Sequence, residues 1–460
     1  MRVTIQNLGP VRAATVDLSK RLVVLTGPNN TGKTWLAWCV YGLTQLPPSL
    51  IAPVVQPFAA ELLAMQRPRL RRGQMQALYD AVLAAVPTLL RQWLPVVFAM
   101  PAAHFADTRV AFTSEGHSLS SWSVAFALDS REQSDLVALH VERDGAALGP
   151  MESTAAGVSV SAAVRESAEA LRRVSEHLAE GVWRMLTPRA LIFPAERAGL
   201  QLVAPELAAE RWLNEMLVRR QNEGGRASEP SGTPLGLPLP ISDFHAFCLQ
   251  RTRSQAEADP LLERLAERLQ TETLKGRFVF AEDGHVALSH GVEVPAVPLA
   301  STSAAAKSLA QLVRMLEGVG GRHRLAIVDE PEQNLHPDSQ RLMACVLAAL
   351  ASQRMPVMIS THSDYVLREI NHCIMASHAS PRVQAVARDH GYDPAMALRP
   401  EEVGAYFVHD GGAEALAVGE TGFQVPSIDA VIEAQSDTAQ ALYAAIDASH
   451  AADVANHAAE

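Results

Sequence analysis

Cysteine is scarce in this sequence. Its 460 residues include four, Cys39, Cys248, Cys345 and Cys373. None forms a C-x-x-C pair or a zinc spacing, which excludes a disulfide framework and leaves reduced core residues. "MRVTIQNLGP" contains no apolar h-region, so the start does not read as a secretory signal. No uninterrupted apolar stretch suffices to span a bilayer; "LPVVFAMPAAHF" is short and carries two prolines. These absences point to a cytoplasmic protein with no membrane partner. No internal repeat is visible, and no heptad pattern persists, which argues against a long coiled-coil arm. Positive charge is also short: 39 Lys and Arg against 50 Asp and Glu give −11. That balance argues against coating nucleic acid through bulk charge, while a local basic groove stays open.

What is present is a globular composition, 48% apolar and 19% charged. The length implies two or three packing units. "VTIQNL" and "RLVVLTG" read as strands, and "KTWLAWCVYGL" as a helix. Residues from Val55 to Trp93 read as helical, with breaks at Pro68 and Pro87. "TRVAFTSE", "WSVAFALD" and "LVALHVERDG" are half-alternating segments that suggest an antiparallel sheet. "AAVRESAEALRRVSEHLAEGVWRML" is an amphipathic helix and "ALIFPAER" a buried strand. Asn222 to Pro240 is rich in Gly, Pro and Ser and reads as a loop. "GRFVFAEDGHVALSH" reads as a hairpin turning at Asp283 and Gly284. From "AAAKSLAQLVRMLEG" onward, helix, strand, helix and strand alternate, which implies a parallel sheet in an α/β core. The segment "EVGAYFVHDGGAEALAVGETGFQVPSIDAVI" reads as strands and a turn followed by a helix. The small, polar tail "DASHAADVANHAAE" is expected to fray.

Three strings carry chemistry. The first, "TGPNNTGKT", fits G-x-x-x-x-G-K-[ST], with Gly27, Pro28, Asn29, Asn30, Thr31, Gly32, Lys33 and Thr34 as its members. Its glycines let backbone N–H groups point inward at the phosphates of a nucleotide, Lys33 adds a point charge, and Thr34 offers a hydroxyl to Mg²⁺. The helix starting near Lys33 adds its positive dipole end. The second, "RLAIVDEPEQNLHP", ends a buried aliphatic run in Asp329 and Glu330. Such an acid pair is costly unless a cation or water uses it. Asp329 is the expected Mg²⁺ ligand through its water shell, and Glu330 the base that polarises the attacking water. The third, "MISTHSDYV", ends a strand in Ser360, Thr361 and His362, with His362 placed to sense a γ-phosphate.

Together these strings resemble ABC-type ATPases of the SMC, RecF and OLD-nuclease group, in the N-terminal strand–loop–helix and from about Pro298 to Asn371. The resemblance implies an α/β ATPase head: a mixed sheet with the phosphate loop and flanking helices. It is divided as 1–50 and 298–375, with a helical and antiparallel β insertion at 51–190, a strand and helical region at 191–297 holding the loop 222–240, and an extension at 376–460. It implies Mg²⁺ and ATP as cofactors and a homo-oligomer, a dimer or larger. A signature helix would then reach the partner copy's γ-phosphate. "TSAAAKSL" aligns with that helix through Ser303 and Lys307, but alanines replace its glycines and glutamate. An ordinary helix cap by Ser301 or Ser303 is the alternative there.

"FPAERAG" recurs in small members of the group, and its Arg197 is open to three roles: the nucleotide, the dimer interface, or an ion pair. The "RPRLRR" cluster, with Arg67, Arg69, Arg71 and Arg72, reads as DNA contact, contact with an acidic partner, or a solvated face. Direct DNA binding is thus left open. No Toprim-like E…D-x-D pattern follows His362. The combination with "NNTGKTWLAWCVYGL" and "THSDYVLREIN" looks most like ATPase subunits of PARIS-type anti-phage systems, of the AAA15 kind. That resemblance implies a slow or regulated ATPase that holds a separately encoded Toprim-type nuclease until a phage-encoded trigger protein appears. A RecF-like repair ATPase loading on DNA is the alternative.

Overall fold

The computed structural model describes residues 1–64, 72–113, 122–129, 136–143, 146–147, 158–159, 168–204, 236–249, 260–281, 285–291, 293–318, 324–353 and 355–457. Arg67, Arg69 and Arg71, most of the 222–240 loop, and the turn at Asp283 and Gly284 lie outside these residues.

Apolar runs on two faces create the central layer. Strand β3 (Leu22–Thr26) and strand β14 (Val357–Thr361) are buried at every position, the signature of parallel strands covered on both sides. Between β3 and β14 come the short strands that build the rest. These are β4 (Arg109–Thr113), β5 (Trp122–Asp129), β6 (Leu136–Arg143), β7 (Ala146–Ala147), β8 (Val158–Ser159), β9 (Arg189–Phe193), β10 (Arg277–Phe280), β11 (Val286–Ser289), β12 (Val297–Pro298) and β13 (Arg324–Asp329). Of these, β4, β9 and β13 join β3, β14, β1 (Arg2–Leu8), β2 (Val11–Asp17), β15 (Val403–His409) and β16 (Gly412–Leu416) in a nine-stranded sheet of order β4-β1-β2-β16-β15-β3-β14-β13-β9. Neighbours from β15 to β9 are parallel, whereas β4, β1 and β2 pair antiparallel. A separate antiparallel sheet holds β5 to β8, and another holds β10, β11 and β12. This mixed sheet with a phosphate loop, flanking helices and a separate antiparallel sheet is the expected fold class. One assignment shifts: β4 joins the edge of the main sheet rather than the small sheet of β5 and β6.

Alternation along the parallel strands sorts side chains into two cores. Val23, Leu25, Ile327, Met358 and Val408 face one core, built with helices α1 (Lys33–Thr44), α2 (Pro48–Ala64), α3 (Arg72–Phe98) and α4 (Ala168–Leu186). Leu22, Val24, Ala326, Val328 and Ile359 face the other, with helices Ala304–Gly318, Pro337–Ser352 and Asp364–Met375. The sheet is therefore sandwiched, and its strand ends are held rigidly.

Helix α3 corrects one expectation. It runs without a break through Pro87 and Pro95. Among the described residues its Gly73–Phe98 stretch is the one unbent helix long and apolar enough to cross a membrane, although no uninterrupted apolar run marks it in the sequence. Met75, Leu78, Val82, Val86, Leu90, Leu94 and Val97 form a buried stripe, while Gln76, Asp80 and Arg91 face outward. That stripe spans the prolines, so burial on both sides outweighs the roughly 3 kcal/mol a proline costs inside a helix. Helix Pro426–His457 takes in residues 447–457 of the tail, and residues 458–460 lie outside the described residues. All four cysteines are free and buried, and burial pushes the Cys39 thiol up to about 12.

Leu90→Ala should lower stability by about 2–5 kcal/mol, the usual cost of emptying a leucine from a packed core. The denaturant midpoint reports it. A loss below about 1 kcal/mol would place α3 outside the core.

Candidate nucleotide site

β3 delivers the chain into the loop of residues 27–32, and α1 leaves it. Two glycines make the loop possible. Gly27 has φ +138°, and a Cβ there would lie 2.2 Å from the Val408 carbonyl oxygen on the neighbouring strand β15. Gly32 has φ +107°, with Val11 Cγ2 2.5 Å from where its Cβ would be. Pro28, Asn29 and Asn30 are exposed, and the Thr31 hydroxyl donates to the Pro28 carbonyl at 2.9 Å. Helix α1 has no side-chain cap at its N-terminus and no acidic residue in its first turn. Its first N–H groups are therefore free to meet an anion. Lys33 Nζ donates to the carbonyls of Gly27 at 2.9 Å and Pro28 at 2.7 Å. Burial lowers its pKa, against the pull of Glu330, Asp329 and Glu332.

The parallel register brings the acidic strand beside this loop. Asp329 pairs with Ser360 across β13 and β14, and Thr361 with Thr26 across β14 and β3. Asp329 is buried, and its carboxylate accepts from the Thr34 hydroxyl at 2.9 Å and from the Ser360 hydroxyl. Thr34 and Asp329, expected as magnesium ligands from distant parts of the sequence, are thus in contact. One hydroxyl and one carboxylate fit a Mg²⁺ that completes its shell with waters and phosphate oxygens. Among the described residues, no three His, Cys, Asp or Glu side chains gather into a metal cage.

Glu330 has φ +48°, unusual for a residue with a side chain. Its N–H donates to the Ser360 carbonyl at 3.0 Å. Burial raises its carboxyl pKa above the ordinary value; His362 opposes that shift, and Asp329 adds to it. His362 Nδ1 lies 4.0 Å from Glu330 Oε1 and 3.8 Å from Glu332 Oε1. Glu332 was missed at the level of sequence. It is buried, and it accepts from the Thr361 hydroxyl at 2.8 Å and the His362 N–H at 3.0 Å. The one signal for it was its place two residues past Glu330.

Arg197 has no ion-pair partner among the described residues; its guanidinium is buried on main-chain carbonyls at Pro194, Ser308, Asp329 and Glu330. Ser303 caps helix Ala304–Gly318, its hydroxyl accepting from the Ala306 N–H at 3.2 Å. Within one chain, no hydrogen bond among the described residues joins Ser303 or the half-buried Lys307 to the phosphate loop.

No family model matches the sequence, and no curated protein matches it. Solved structures do. The chain is similar to the SMC head domain from Thermotoga maritima, with 10% identity, 91% of this chain and 98% of that chain covered, and a TM-score of 0.32. It is also similar to an SmcHead bound to the C-winged helix domain of ScpA, with 9% identity, 90% and 96% covered, and a TM-score of 0.33. A third is the Smc head domain with an extended coiled coil bound to the C-terminal domain of ScpA derived from Pyrococcus furiosus, with 10% identity, 95% and 98% covered, and a TM-score of 0.31. The chemistry of the site stands on its own geometry.

Gly27→Ala should cut ATP binding by about 10–100-fold, since a strained backbone position costs on the order of 1–3 kcal/mol. Titration with a fluorescent ATP analogue measures it. Binding equal to the unsubstituted chain would remove the loop from the site.

Proposed function

We propose that this chain is an ABC-type ATPase that binds Mg·ATP and uses hydrolysis as a switch. The observation that carries the reading is the 2.9 Å contact between the Thr34 hydroxyl and the Asp329 carboxylate. It sets the phosphate loop against the acidic strand end, where the two ligands of one ion belong. When bound, Mg²⁺ neutralises charge on the β- and γ-phosphates.

The chain's own residues supply the rest. Lys33 exchanges the Gly27 and Pro28 carbonyls for phosphate oxygens. Gly27 to Gly32 wrap the phosphates with main-chain N–H groups. Glu330 accepts the proton of the attacking water. His362, held by its N–H on Glu332, faces the base and reports the γ-phosphate. Ser303 is exposed at a helix start, and in this reading a second copy's phosphate meets it there. Closure of two copies is then favoured by ATP and released by hydrolysis.

The sequence resemblance to PARIS-type ATPase subunits supports a finer assignment. The oligomer acts as sensor and scaffold for a separately encoded Toprim-type nuclease, freed when a phage-encoded trigger protein binds. Co-purification with the product of the adjacent reading frame tests it. Hydrolysis stimulated by DNA, with no nuclease bound, would favour the RecF-like alternative.

Lys33→Ala should abolish ATP binding or hydrolysis, read by nucleotide titration and phosphate release; unsubstituted values for both would overturn the site. Glu330→Gln should retain ATP and slow hydrolysis by about 10²–10⁴-fold, as expected for loss of a general base. An unchanged turnover would move the base elsewhere. On that Glu330→Gln background, Mg·ATP should yield at least a dimer by light scattering, and Ser303→Arg should block it while the fold persists. A strictly monomeric protein with full activity would refute closure between copies.

A further inference from the structure

We infer that Arg197 is a positioning residue that holds Glu330 in its left-handed turn and couples that turn to the helix carrying Ser303. The inference rests on the nucleotide-site reading above and deepens it. Arg197 follows β9, one strand away from the acidic pair. Its side chain is 1% exposed.

A buried guanidinium is costly unless its N–H groups are used. Arg197 uses all three nitrogens. Nε donates to the Ser308 carbonyl at 3.2 Å, Nη1 to the carbonyls of Pro194 at 3.2 Å and Asp329 at 2.7 Å, and Nη2 to the carbonyl of Glu330 at 2.8 Å. Burial pulls its pKa down to about 10, so it stays a cation at neutral pH. Three chain segments thus converge on one rigid plane: the β9 exit, the acidic strand end, and helix Ala304–Gly318.

The backbone explains why this matters. Glu330 at φ +48° sits in a conformation that persists where surroundings over-determine it. Its N–H is held by Ser360 at 3.0 Å, and its carbonyl by Arg197. The residue is pinned through both flanking peptides, and the carboxyl it carries is aimed accordingly. Asn334, also left-handed at φ +63°, donates to the Ser308 hydroxyl at 2.9 Å. Ser308 is therefore gripped at its carbonyl by Arg197 and at its hydroxyl by the acidic segment itself. Ser303 stands at the start of the same helix. A shift of this helix when Ser303 meets a partner copy reaches Glu330 through the guanidinium. Lysine has one nitrogen and no planar fork, so it cannot serve all three segments.

Arg197→Lys should lower kcat by about 10–100-fold, the usual loss when a positioning contact is removed. ATP affinity should stay within about threefold, because no phosphate-loop residue bonds to Arg197. The penalty should vanish on the Glu330→Gln background, since Arg197 acts through that base. In the nucleotide-free chain, hydrogen exchange should rise together at 328–334 and 304–311. Turnover like the unsubstituted chain, or an equal penalty on both backgrounds, would overturn the inference. Failure of the site itself would show differently, as ATP binding and hydrolysis that both survive Lys33→Ala. Should Arg197→Lys not fold, Asn334→Gly keeps the backbone conformation and removes the amide. It should reduce kcat with ATP affinity retained, and an unaltered kcat would overturn the coupling.

Discussion

Asp329 lies between two hydroxyls, Thr34 on one side and Ser360 on the other, and much of the site follows from that contact. It exists because β3, β14 and β13 run parallel and end at nearly one level. Side chains alternate along a strand, so a one-residue slip of β14 would send Ser360 to the opposite face. Thr34 arrives from α1 only because the loop turns sharply enough within residues 27–32 to place it there. The contact thus reports strand register, loop geometry and helix entry together. Glu330 and His362 are the next residues beyond these same strand ends.

Rigid support and local strain are divided between different parts of the molecule. Two cores clamp the parallel strands from either face, so their ends have little freedom. Left-handed residues gather just past those ends: Gly27, Asn30 and Gly32 in the loop, Glu330 and Asn334 after β13. Backbone strain placed there aims polar groups into one space and is held by the surrounding hydrogen bonds. Glu332 illustrates this support, since it accepts from the Thr361 hydroxyl and the His362 N–H.

Part of this was legible in the residue order. Gly27 and Gly32 stand where positive φ is required, and the motif spacing names them. The aliphatic run before Asp329 and Glu330 marks a buried strand ending in acids. Pairing across the sheet was not legible. Strand β15 is buried on both faces from Val403 to Tyr406, and nothing in "VGAYFVH" reveals that it lies beside β3. Arg197 announces a charge, and charge suggests carboxylates or phosphates as partners. Its described partners are main-chain carbonyls, which leave no trace in side-chain identity. Pro87 suggested a helix end by local propensity, and the apolar stripe on both sides overrode it.

The central claim is that the loop and the acidic strand end form one Mg·nucleotide site. Calorimetric titration of the purified chain with ATP, with and without Mg²⁺, tests it most directly. The account predicts one nucleotide per chain and tighter binding when the metal is present. Absence of binding, or binding indifferent to Mg²⁺, would contradict it.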